Sequence, residues 1–97
     1  MLGFLKEYNV SDITIKKIER ENAYANVYNL SCNVDEVGKI INYFRNLGIK
    51  CINDLLIYRI EIFFKSYDDI LKCFSKYNCD LLVEKLNEDF TIMDEIN

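Results

Sequence analysis

Asp12-Ile-Thr-Ile-Lys-Lys-Ile18 returns in this chain as Asp54-Leu-Leu-Ile-Tyr-Arg-Ile60 and again as Asp80-Leu-Leu-Val-Glu-Lys-Leu86. Ahead of each heptapeptide lies a second echo. Met1, Leu2, Leu5, Tyr8, Asn9 and Val10 recur as Ile40, Ile41, Phe44, Leu47, Gly48 and Ile49, then as Ile70, Leu71, Phe74, Tyr77, Asn78 and Cys79. Copies spaced about 39 and then about 30 residues apart are the mark of stacked helical hairpins, each too small to bury its own apolar face. The expected fold is therefore all-α, a short helical-repeat array of two-helix units forming a single domain over residues 1–97.

Helix punctuation supports this reading. Asn33 followed by Glu36 has N-cap spacing for a run that starts at Val34 and carries Val37, Ile40, Ile41, Phe44 and Leu47 at helical spacing. Gly48 then stops it, since glycine accepts the left-handed conformation that closes a helix. Ser66 with Asp69 caps the corresponding run of Tyr67, Ile70, Leu71, Phe74 and Tyr77, for which Asn78 is the expected stop. One apolar plug (Val10, Ile49 or Cys79) precedes each Asp-led second helix, placed at about 12–21, 52–59 and 80–89. Residues 22–32, rich in Asn, Tyr and Ala, have weak propensity and are expected to be a connection. Phe90–Ile96 resembles Phe64–Ile70, so a further helix is expected to begin there.

A second fold is compatible with part of the pattern. Val27–Cys32 and Ile57–Ile62 alternate apolar and polar residues as strands do. With Ile49–Ile52 and Cys79–Val83 as further strands, the order becomes βαββαβ, a ferredoxin-like α+β sandwich. The all-α reading is preferred because the N-terminal copy lies outside that duplication and still matches it.

Composition narrows the class. A 97-residue chain that is 51% hydrophobic can build one core without a metal or disulfide staple. No apolar run approaches the ~18 residues of a membrane span. The opening Met-Leu-Gly-Phe-Leu-Lys-Glu has no basic start followed by an apolar stretch, so neither a secretory leader nor a membrane location is expected, and a cytoplasmic setting follows. An abundance of Ile, Asn, Lys and Tyr is the usage of AT-rich genomes such as those of low-GC bacteria. Cys32, Cys51, Cys73 and Cys79 contain no Cys-x-x-Cys pair, and four free, mostly buried thiols are expected. Cys79 is expected to be buried as a plug, Cys73 partly accessible, and Cys32 and Cys51 intermediate.

The chemistry of catalysis is thin. With no histidine there is neither an imidazole base nor a Ser-His or Cys-His pair. No glycine-rich phosphate loop occurs. The pairs Asp68/Asp69, Glu88/Asp89 and Asp94/Glu95 read as helix-start and solvated charge rather than converging carboxyls. We expect no enzyme, no cofactor and no metal. The net charge of −4 is a C-terminal property: residues 80–97 set Lys85 against Asp80, Glu84, Glu88, Asp89, Asp94 and Glu95. The densest basic group is Lys16, Lys17 and Arg20, close in sequence to Tyr24 and Tyr28, and these five are the candidate interaction residues. Tyr8, Tyr67 and Tyr77 take core-type positions in the repeat.

Asn46-Leu-Gly-Ile49, Ile52-Asn-Asp-Leu-Leu-Ile-Tyr-Arg59, Ile60-Glu-Ile-Phe-Phe64 and Ser66-Tyr-Asp-Asp-Ile70 together resemble the repeat of the mitochondrial transcription termination factor family. The resemblance implies units of two α-helices and a short 3₁₀ turn, and a curved array that binds nucleic acid. The chain departs from it in having Ile60 where that family usually has proline, and in being acidic overall. The expected function is thus a non-enzymatic binding module for a protein partner, with nucleic-acid binding through the face of Lys16, Lys17 and Arg20 as the alternative.

Overall fold

A computed structural model of the chain describes residues 1–96. Its elements are a 3₁₀ segment Gly3–Tyr8, α1 (Asp12–Glu21), α2 (Tyr24–Cys32), α3 (Val34–Leu47) and α4 (Ile52–Tyr58). A 3₁₀ segment Ile60–Phe64, α5 (Tyr67–Ser75), α6 (Cys79–Glu88) and a 3₁₀ segment Phe90–Glu95 follow. No strand occurs among the described residues, so the architecture is all-α and the βαββαβ alternative is excluded. Val27–Cys32 lies within α2, and Ile57–Ile62 straddles the end of α4 and the start of a 3₁₀ segment. The order helix, helix, 3₁₀ occurs twice, as α3–α4–Ile60–Phe64 and as α5–α6–Phe90–Glu95.

The middle of the molecule is α3. It packs on the Gly3–Tyr8 segment, α2, α4, the Ile60–Phe64 segment, α5 and α6. Val37, Ile40, Ile41 and Phe44 recur at three- and four-residue spacing on it and are fully buried. Phe44 holds the aromatic centre, edge-on to Phe63 at 5.8 Å and stacked on Phe74 at 5.5 Å between ring centroids. Truncating a buried phenylalanine to alanine typically costs about 3–5 kcal/mol, and Phe44, Phe63 and Phe74 are all buried at this centre. Outside this centre α1 lies against α4, and α2 lies against Ile60–Phe64.

Two stops behave as the repeat implies. Asn9 (φ 62°) and Gly48 (φ 91°) are the described residues with left-handed backbones. Around each, the same two hydrogen bonds close the turn. Asn9 N donates to Lys6 O and Val10 N to Leu5 O; Gly48 N donates to Arg45 O and Ile49 N to Phe44 O. This is the Schellman arrangement, which satisfies the last carbonyls of the helix. The following apolar residue, Val10 or Ile49, is buried in each case.

The third stop differs. α5 ends at Ser75, and Asn78 (φ −71°) caps the start of α6 by accepting from Leu81 N. An asparagine at a helix junction serves either end, and here the N-terminal role prevails. Cys79 is consequently the first residue of α6 and half-buried rather than a buried plug, while Tyr77 falls beyond α5 and is exposed. Asn33 is a further correction: its side-chain amide donates to Asn29 O, and α3 starts without a side-chain cap. Glu36 serves another element, its Oε2 accepting from Tyr67 N at 2.8 Å. Ser66 and Ser11 do cap α5 and α1, accepting from Asp69 N and Thr14 N.

Residues 22–32 are not a simple connection, because Tyr24–Cys32 is helical. Val27 and Leu30, three apart, are buried, and packing on Ile60–Phe64 overrides weak propensity. Phe90–Glu95 is a 3₁₀ segment that buries Met93 against α6, not the start of an α-helix. The four cysteines are free. Cys32 is exposed, where intermediate burial was expected, and Cys51, Cys73 and Cys79 are half-buried.

Candidate interaction surface

The turn between α1 and α2 is set by Asn22. Its amide donates to Ile18 O, closing α1, and to Ile57 O at the end of α4, both at 2.9 Å. This pair of hydrogen bonds anchors the chain two residues before α2 begins. Tyr24 and Tyr28, one turn apart on α2, stack with ring centroids 6.4 Å apart and planes 21° from parallel. Both are exposed, Tyr24 to 71%. Beneath Tyr24 runs an open groove of about 150 Å³ lined by Met1, Glu19, Tyr24 and Val27.

Lys16, Lys17 and Arg20 are all on the exposed surface of α1. The five candidate residues thus lie on two adjacent helices, but the groove that Tyr24 lines takes Glu19 from α1 and none of the three cations. Arg20 Nε lies 3.3 Å from Glu21 Oε1, which offsets part of the local positive charge. Met1, Glu19 and Val27 were not expected at this surface. Glu19 precedes the break at Asn22 by one helical turn, so only the angle of that break could have revealed its place beside Tyr24.

Two other clusters are committed to structure. The guanidinium of Arg59 meets the carboxylate of Asp94 through Nε (2.8 Å) and Nη2 (3.1 Å), donates from Nη1 to Tyr58 O, and sits 5.4 Å over the Phe90 ring. Tyr58 stacks on the same ring at 5.8 Å. The hydrogen bond to Asp94 raises the Arg59 pKa above its already high value, so the guanidinium stays charged. Lys39, Asn42, Tyr43, Asn46 and Tyr67 line a shallow groove between α3 and α5. Burial pushes the Tyr43 phenol up, with Cys79 and Tyr67 adding to the effect, so Tyr43 is neutral at ordinary pH.

Among the described residues no group of three or more Cys, Asp or Glu side chains could hold a metal ion. Among the described residues no helix is long and apolar enough to cross a membrane. Comparisons with protein-family models, with curated proteins and with solved structures find no match for this chain.

Proposed function

We propose that the chain is a non-enzymatic helical-repeat module that binds a protein segment on the α2 face, through Tyr24 and Tyr28. The observation that carries this is the stacked, exposed tyrosine pair beside a groove with apolar walls (Met1, Val27) and one acidic residue, Glu19. Tyrosine supplies a large contact area at low entropic cost and is enriched at protein interfaces. The chemistry that fits is a segment with an aliphatic side chain for the groove next to an Arg or Lys. The cation would lie on the ring faces and pair with Glu19.

The repeat reading has support of its own. The order helix, helix, 3₁₀ occurs twice, and Asn9 and Gly48 close their segments with the same pair of hydrogen bonds. A recurring unit of this kind is what stacked helical hairpins would share. Nucleic-acid binding, which the family resemblance implies, is the weaker alternative. Glu19 occupies the groove beside the aromatic pair and Glu21 pairs with Arg20, which leaves Lys16 and Lys17 of the three cations to meet a phosphate backbone.

The test is selection of a random peptide display library on the purified protein, repeated with Tyr24→Ala/Tyr28→Ala. Enriched sequences should combine an aliphatic residue with a nearby Arg or Lys and should lose binding to the variant. No enrichment, or equal binding to the variant, would remove the proposal.

A further inference from the structure

α1 and α6 each present one large aliphatic side chain to solvent at the same heptapeptide position: Ile13 is 70% exposed and Leu81 51%. The equivalent residue of α4, Leu55, is fully buried. On a helix, the residues three, four and seven places on share a surface with the first. Around Ile13 these are Lys16, Lys17 and Arg20; around Leu81 they are Glu84, Lys85 and Glu88, and all six are exposed. The two helices thus carry one pattern, an aliphatic centre with charges trailing toward the C-terminus, in opposite sign at two of the three places. Among the described residues no ion pair within 4.0 Å engages Lys16, Lys17, Glu84 or Glu88.

We infer that a second copy of this chain docks its α6 on α1, Leu81 against Ile13, with Glu84 and Glu88 among Lys16, Lys17 and Arg20 and outnumbering Lys85, the one like charge that α6 brings to the contact. The helices run parallel, because only then do the acids fall on the cations once the two aliphatic centres meet. Pairing α1 with α1 would set three cations on three, and α6 with α6 would set two carboxylates on two with Lys85 the one cation on each face. Like-charge juxtaposition of this kind is a strong selector against wrong partners. The contact is heterologous, one face meeting a different one, so a pair leaves one face of each kind free and the assembly grows into a ring or an open chain. None of the side chains that carry this contact is needed for the tyrosine face, so the two surfaces stand or fall separately.

Sedimentation velocity over a concentration series tests it. The wild-type protein should show mass rising with concentration, and added salt should weaken the association by screening exposed charges. Lys16→Glu/Lys17→Glu/Arg20→Glu and Glu84→Lys/Glu88→Lys should each weaken self-association at least about tenfold, and an equimolar mixture of the two should restore it. Restoration also shows that both variants are folded. Ile13→Asp, a single exposed substitution, should give the same loss with unchanged circular dichroism, and it decides the matter if either multiple variant is misfolded. A wild-type protein that stays monomeric at its solubility limit would overturn the inference. Self-association insensitive to these substitutions, or a monomer that binds single-stranded DNA through the three α1 cations, would do the same.

Discussion

The side-chain amide of Asn22 holds two carbonyls at once, Ile18 O of its own helix and Ile57 O at the end of α4, each at 2.9 Å. It is therefore both the C-terminal clamp of α1 and the polar tie between α1 and the helix it packs on. Alanine at this position leaves two carbonyls without their donor. We expect Asn22→Ala to lower stability by about 1–2 kcal/mol in urea unfolding. It should also disturb the tyrosine face, because the clamp anchors the chain two residues before α2 begins. A change indistinguishable from zero would mean that solvent replaces both bonds.

Left-handed stops give the second expectation. Gly48, at φ 91°, has open space around a would-be Cβ, with Val83 the nearest side chain at 3.9 Å, so any penalty there is conformational and not steric crowding by neighbours. Gly48→Ala should cost about 1–2 kcal/mol, the ordinary penalty for an L-residue in that region. Asn9, at φ 62°, already tolerates the same conformation, so Asn9→Gly should leave the thermal midpoint unchanged or slightly raised. Equal losses at both sites would contradict the shared Schellman geometry.

How much of this was readable beforehand follows from which signals are local. The stops at Asn9 and Gly48 were legible because a Schellman turn depends on one residue and its immediate neighbours. The role of Asn78 was not, since asparagine is acceptable both as a left-handed stop and as an N-cap, and only the chain on either side decides. The helix α2 is not legible because Val27 and Leu30 are buried only once α2 lies against Ile60–Phe64, α1 and α3, and propensity does not contain those contacts. At the interaction surface the tyrosines and cations were legible as exposed residues. The union of Met1, Glu19 and Tyr24 was not, because it depends on the angle between two helices.

Asp89 links folding to pH. Its Oδ1 accepts from Thr91 Oγ1 at 2.6 Å and from Thr91 N at 3.0 Å. These bonds, the side-chain one first, and the nearby Arg59 lower its pKa below the ordinary 3.8. A lowered folded-state pKa means stabilisation that is fully present above the unfolded value and is lost as pH falls through the folded one. The difference in thermal midpoint between wild type and Thr91→Val should thus be constant near neutrality and should shrink below about pH 4. A difference that grows with acid would reverse the sign and exclude this linkage.

The thiols should separate by access. Cys32 is exposed, while burial pushes the Cys51 thiol up, and its Sγ lies 3.5 Å from Leu86 O. With an aromatic disulfide reagent on native protein, Cys32 should react first and Cys51 last, with Cys73 and Cys79 between them. Uniform rates, or a fast Cys51, would show that the contact of α6 with the start of α4 opens readily.

The most direct test of the proposed binding face is a backbone amide NMR titration. The probe is a peptide enriched by selection on the protein, run beside a titration with a single-stranded DNA oligonucleotide. Binding of the peptide should shift the amides of Met1, Glu19, Tyr24, Val27 and Tyr28, and the oligonucleotide should leave them in place. Shifts caused by the oligonucleotide and centred on Lys16, Lys17 and Arg20, with the tyrosine face unmoved by the peptide, would contradict the proposal and favour a nucleic-acid partner.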